Sequence, residues 1–291
     1  MRLWPRRRFL QLSIGAALLK GQTLAAQAQV LPLDTPGLDH LDIIVPDVEA
    51  SARFYMSLFN TRLHAQPFRG GQRYFVLLGE MNARREVRYL AIGAANGRGT
   101  GIGHFCTTVR GWRENSAAIW AAMTRQIAEA GFGSFPGSTG FGGLFDDPDG
   151  IEIQFLPSPD TLVTAAVPSD LVLSNQGLVR PLGLDHVLLN VSDLDQALRW
   201  YRILYGQESS LSGNLVRFDF PDSLTHILLR EPAYGYGSTP GIASFGIKTL
   251  PFDQEQVGSL LAELGAADIN DVNGSLEFVD IDGLSVVLIP T

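Results

Sequence analysis

The feature that most constrains this chain is that it contains itself twice. Gly37-Leu38-Asp39-His40-Leu41-Asp42-Ile43-Ile44-Val45 returns as Gly183-Leu184-Asp185-His186-Val187-Leu188-Leu189-Asn190-Val191. At the same spacing, Asp47-Val48-Glu49 and Phe54-Tyr55 return as Asp193-Leu194-Asp195 and Trp200-Tyr201. Further on, Gly101-Ile102-Gly103-His104-Phe105 is matched by Gly241-Ile242-Ala243-Ser244-Phe245, and Asp147-Pro148-Asp149-Gly150 by Asp280-Ile281-Asp282-Gly283. These later partners lie closer together than the first ones, because loops shorten between matched elements. A self-similar chain has to build one architecture twice. The halves run over 36–158 and 182–291, joined by a linker at 159–181, and a length of 291 residues accommodates two domains.

Within each half a shorter pattern also occurs twice. An apolar, β-branched run such as 41–45 reads as a strand. An Asp N-cap then opens an amphipathic helix, Asp47 in one half and Asp193, with Gln196 at capping-box spacing, in the other. Short strands follow at 73–79 and 86–92. A second unit starts at 102–109, carries a helix over about 115–130 that stops at Gly131, and closes with strands around 143–146 and 151–156. Its counterpart places a helix at 253–264, with Asp253 and Gln256 in capping-box spacing and Gly265 at its end. The expected order is strand, helix, three strands, four times over. That is an α+β fold of four βαβββ units.

The first 28 residues stand outside this plan. Arg2, Arg6, Arg7 and Arg8 precede an apolar stretch from Leu12 to Leu19, and Ala26-Gln27-Ala28 is a small-x-small cleavage site. Arg6-Arg7-Arg8-Phe9-Leu10-Gln11 resembles the twin-arginine export motif. The expectation is a signal peptide over 1–28, recognised by the twin-arginine export machinery, and a mature protein in the periplasm or secreted. No apolar run approaches the ~20 residues of a membrane-spanning helix, so no membrane association is expected once the signal is removed. A net charge of −8 argues against nucleic acid as a partner, since that needs a basic face. The single cysteine, Cys106, excludes an intrachain disulfide framework and a Cys-rich metal site, and suits an oxidising compartment.

The paired units carry three motifs in order: Asp-His opening a strand before a capped helix, Gly-x-x-His-Phe opening a later strand, and Asp-Pro-Asp-Gly before the last strand. Together they resemble the vicinal oxygen chelate superfamily, which includes glyoxalase I, the extradiol ring-cleaving dioxygenases and the bleomycin-resistance proteins. The resemblance covers about 36–291. It implies two tandem glyoxalase-like domains, each a half-open barrel able to hold a divalent metal ion. By position it implies His40, His104 and Gln154 as metal ligands, Gln154 standing where the family most often has Glu. An amide in place of a carboxylate removes one charge from the 2-His-1-carboxylate pattern of Fe(II) oxygenases. Glu152 shares the face of Gln154 on an alternating strand, and is the alternative third ligand or a general base. Tyr74, Arg88 and Tyr89 lie on strands that line such a barrel, and Tyr89 joins Glu152 as an expected catalytic residue. Glyoxalase I takes a further carboxylate from the strand before its second unit. Here only Glu86 stands near that position, which favours an open, three-ligand site.

In the second half His186 keeps the first ligand position, but Ser244 and Val287 occupy the other two, so that metal site is expected to be degenerate. His64 and His226, with no motif around them, read as surface or strand residues, and Cys106 as a small buried hydrophobe. The expected function is an exported, metal-dependent enzyme acting on a small molecule. Extradiol-type dioxygenation of an aromatic or vicinal-oxygen substrate, with Fe(II) or Mn(II), fits the resemblance best. A glyoxalase-like lyase or isomerase using Zn(II) or Ni(II) as a Lewis acid is one alternative, and a metal-free small-molecule binding protein is another.

Overall fold

In chain order the computed structural model shows β1 (Gly37–Val45), α1 (Val48–Leu58), β2 (Leu63–Phe68), β3 (Gly71–Leu78), β4 (Arg88–Ala94), β5 (Gly101–Arg110), α2 (Trp112–Glu129), β6 (Gly143–Asp146) and β7 (Glu152–Ser158). The second half follows with β8 (Pro181–Asn190), α3 (Leu194–Tyr205), β9 (Ser210–Ser212), β10 (Leu215–Phe220), β11 (Thr225–Arg230), β12 (Gly241–Thr249), α4 (Gln254–Glu263), β13 (Ala267–Val272), β14 (Ser275–Val279) and β15 (Ser285–Pro290). The structure describes residues 31–68, 71–80, 87–97, 99–133, 143–158, 177–232 and 239–291. The expected signal segment at 1–28, Glu86 and most of the linker lie outside them. Three of the four units show all five elements. The second shows two strands after its helix among the described residues.

The helix starts follow from the aspartates. Asp47 accepts the N–H groups of Glu49 and Ala50, while Asp193 and Asp253 accept those of Gln196 and Gln256. Each satisfies donors that a helix end otherwise leaves unpaired. Helix α2 has no such cap. It begins at Trp112, earlier than its sequence pattern marks, after Gly111 in a left-handed conformation (φ 70°) and with the Trp112 ring buried. Strand β2 has no separate signal in the sequence either. It forms because Leu63 to Phe68 pairs antiparallel with β3.

Each half makes one open mixed sheet. The first has seven strands in the order β2-β3-β4-β1-β5-β7-β6, and the second eight, β13-β14-β15-β12-β8-β11-β10-β9. Neither sheet is closed on itself. At each centre lie an antiparallel pair (β1 with β5, β8 with β12) and, outside it, parallel partners (β4 and β7, β11 and β15). This is the tandem glyoxalase-like α+β architecture that the repeat demands. Alternation sorts the two faces. On the first sheet Leu41, Ile43, Leu90 and Ile92 are buried on one face, while His40, Asp42, Tyr89, Ala91 and Phe75 occupy the other. Tyr74 pairs with Ile92 and so lies on the face away from His40, where it is buried in the packing.

The halves lock together reciprocally, within one compact unit spanning Leu31–Thr291. Tyr55 of α1 donates to Asp280 at 2.5 Å, and its repeat partner Tyr201 of α3 donates to Asp147 at 3.0 Å. Asp280 and Asp147 are themselves repeat partners, each holding the turn into the last strand of its half. Phe54 meets Phe278, and Trp200 meets Phe145, across the same seam.

Candidate metal centre

The Asp-His pair at the start of the repeat sits on a β-bulge. Along β1, Leu38 pairs with Thr107 but Leu41 with Phe105, so one extra residue is accommodated around Asp39 and His40. A bulge re-aims side chains. Asp39 and His40, which strict alternation would send to opposite faces, are brought together, and Asp39 Oδ1 lies 2.8 Å from His40 Nδ1. The second half repeats the device, with a shift between His186 and Leu184 and a 2.8 Å contact from Asp185 to His186 Nδ1.

In the first half His40 and His104 point their Nε2 atoms at each other, 3.4 Å apart. Both side chains are buried. Their Nδ1 atoms face outward onto acids: His40 onto Asp39, and His104 onto Glu152 at 3.4 Å and Asp42 at 3.5 Å. The His40 ring stacks on Tyr89, centroids 4.6 Å apart and planes 10° from parallel. Gln154 lies on the same face, its Cα paired with that of Cys106, two residues after His104 on β5. Asp42 is gripped by Arg73 from β3. Burial, helped by the nearby His104 and Arg73, holds His40 well below the usual histidine range, so its imidazole is neutral at neutral pH with a lone pair to give.

These residues fit a divalent ion. Two nitrogens each about 2.1 Å from an ion at the tetrahedral angle stand about 3.4 Å apart. An imidazole whose other nitrogen is held by a carboxylate is the usual state of a histidine ligand. The two imidazoles, with the Gln154 amide oxygen, would make a neutral donor set. Cys106 is buried beside it, and one donor atom each from Asp39, His40 and Cys106 fall within 4.8 Å of one another.

The structure therefore brings His40, His104, Gln154, Glu152 and Tyr89 to one face. Glu152, paired with His104 across β5 and β7, is the more exposed, its side chain 38% accessible. It also lines a cavity of about 610 Å³ together with Phe132, Leu144, Asp146 and Trp200. Arg88 instead reaches the carbonyl of Leu38. Two members of the site escaped the sequence motifs. Asp42 was detectable, since it lies two residues from His40 on the same strand. Arg73 was not, because only the pairing of β3 with β4 and of β4 with β1 carries it there.

The second half holds a cluster of its own. His226 is a buried strand residue and lies opposite His186 in the parallel pairing of β11 with β8, the place Tyr89 has beside His40. Its ring stacks on His186 at 5.2 Å, and its Nε2 is 3.7 Å from Asp185 Oδ2. Lys248 Nζ approaches Asp185 Oδ1 at 3.6 Å. Burial pushes His226 down to about 4.

Residues 37–155 match the model of the Glyoxalase/Bleomycin resistance protein/Dioxygenase superfamily. A comparison with curated proteins finds no match. Among solved structures, the chain is similar to the 2,3-dioxygenase LapB from Pseudomonas sp. KL28, with TM-score 0.61 and 14% identity, over 89% of this chain and 93% of that one. It is similar to the Mn(II)-bound glyoxalase from Novosphingobium aromaticivorans, with TM-score 0.61 and 12% identity, over 88% and 82%. It is also similar to homoprotocatechuate 2,3-dioxygenase from Brevibacterium fuscum, solved with 3,4-dihydroxyphenylacetate, with TM-score 0.61 and 14% identity, over 88% and 81%. Identities this low speak to fold. The family match covers residues 37–155, the first of the two halves, and the second half repeats its element order.

Proposed function

We propose that this protein is a divalent-metal-dependent enzyme acting on a small molecule with two adjacent oxygens, and that its reaction is extradiol-type cleavage of an aromatic ring. The observation that carries the reading is the convergence of His40 and His104 through Nε2, 3.4 Å apart, with both Nδ1 atoms turned to carboxylates. The proposed setting is the periplasm or cell exterior, reached through the signal-like segment 1–28 and the twin-arginine route.

The ligands in this account are His40, His104 and Gln154. Asp39 fixes the His40 tautomer, and Tyr89 holds the ring flat, which makes Tyr89 a positioning residue. A bound Fe(II) or Mn(II) ion supplies Lewis acidity to two adjacent substrate oxygens and redox chemistry toward dioxygen. Glu152, at the rim beside His104, takes the proton from a substrate hydroxyl at its Oε atoms. Arg73 pairs with Asp42 and holds that carboxylate beside His104.

One feature favours a second reading. The third donor is an amide, so the ligand set carries no negative charge. A lyase or isomerase needs only a redox-inactive Lewis acid such as Zn(II) or Ni(II), with Glu152 moving a proton. Oxygen uptake on a panel of catechols by iron-loaded protein separates the two. The dioxygenase reading expects uptake coupled to ring cleavage, with Glu152→Gln lowering kcat by about 10²–10⁴-fold. Activity on a 2-oxoaldehyde-type substrate without oxygen uptake moves the assignment to the lyase. Tight ligand binding without metal or turnover moves it to a binding protein.

A further inference from the structure

We infer that Asp185, His186 and His226 form a second divalent-metal site, in the half of the chain whose family ligand positions are lost. The inference is independent of the chemistry assigned to the first half. Asp185 Oδ2 lies 2.8 Å from His186 Nδ1 and 3.7 Å from His226 Nε2, and one donor atom from each of the three falls within 4.8 Å of the others. The ligand set differs from that of the first half. There two imidazoles face each other through Nε2, with acids behind both of them. Here a single carboxylate oxygen sits between two rings.

The backbone fixes all three donors. Strands β8 and β11 pair in parallel with His186 opposite His226. The bulge at Asp185 turns the carboxylate to the side of the sheet that carries His186. Gly246, on the neighbouring strand, leaves the space the His186 ring occupies. A Cβ there would come within 2.5 Å of His186 Nδ1 and Cε1. The site is shielded but reachable, the side chains of Asp185, His186 and His226 being 13%, 12% and 8% accessible. Lys248 faces Asp185 Oδ1 and leaves Oδ2 to the imidazoles. Arg217 is taken up by Asp219, so its charge does not stand unopposed beside the site.

Two imidazoles and one carboxylate oxygen are a borderline donor set, and the ion they suit is Zn(II) or a similar borderline divalent ion.

The test is calorimetric titration of the full chain with Zn(II) in a His104→Ala background, which removes a ligand of the first half. One equivalent should still bind. Adding His226→Phe, which keeps a stacked ring but no donor, should weaken that binding by more than ~100-fold. Adding Asp185→Asn instead, a near-isosteric change, should weaken it strongly as well. No zinc binding to His104→Ala, or zinc binding that neither added substitution alters, overturns the proposal. Failure of the first-half reading shows separately, as wild-type protein that binds no more zinc than His104→Ala.

Discussion

A histidine becomes a metal ligand when one ring nitrogen is held so that the other is free. His40 meets this condition through Asp39 and Tyr89, and burial keeps it neutral. Asp39→Asn should therefore weaken metal binding about 10–100-fold without touching a ligand, as measured by competition with a chromophoric chelator. Gln154→Glu should do the opposite. It completes a 2-His-1-carboxylate set, and the added charge should tighten binding to Fe(II) or Mn(II) by about tenfold or more, whereas Gln154→Ala weakens it. Unchanged affinity in Gln154→Glu would remove Gln154 from the ligand set. His40, His104 and Gln154 could be named as candidates because each stands at a fixed place in a motif along the chain. Arg73 and His226 were not, because strand pairing alone brings them to their sites, and no spacing in the sequence records a pairing.

At the scale of elements, short-range chemistry was readable and packing was not. The three Asp caps and the strand that follows each Asp-Pro-Asp-Gly-type turn are local, set by residues within a few positions of each other. The start of α2 was missed because the buried Trp112 anchors the helix through its tertiary contact with Phe155 of β7. Bulges were also invisible, although the motif they serve was plain. Helix α3 contributes Trp200, which is fully buried and packs on Phe145 of the other half. Trp200→Ala should cost about 3–5 kcal/mol, read as a lowered urea midpoint with an unchanged denaturant slope. A cost below 1 kcal/mol would mean the seam contributes little.

At the scale of the whole molecule, the second half does more than repeat the first. Tyr201 donates to Asp147, and Asp147 accepts the N–H groups of Asp149 and Ile151 at the head of β7, the strand bearing Glu152 and Gln154. Burial raises Asp147 to about 6 from 3.8. The folded protein therefore holds this proton more tightly than the unfolded chain. The resulting stabilisation is full below pH about 4 and is lost as pH rises through about 6. A shift of this size corresponds to at most about 3 kcal/mol. The stability of wild type relative to Asp147→Asn should accordingly be greater at pH 4 than at pH 7.5 by about 2–3 kcal/mol, measured by urea unfolding at the two pH values. A difference independent of pH would show that Asp147 is not protonated on folding.

The central claim is that the first half holds one metal ion between His40 and His104. The most direct measurement is the metal content of the protein by elemental mass spectrometry after anaerobic loading with Fe(II) or Mn(II), set beside His104→Ala. Wild type should carry one equivalent more than the variant. Equal metal content in the two proteins would contradict it.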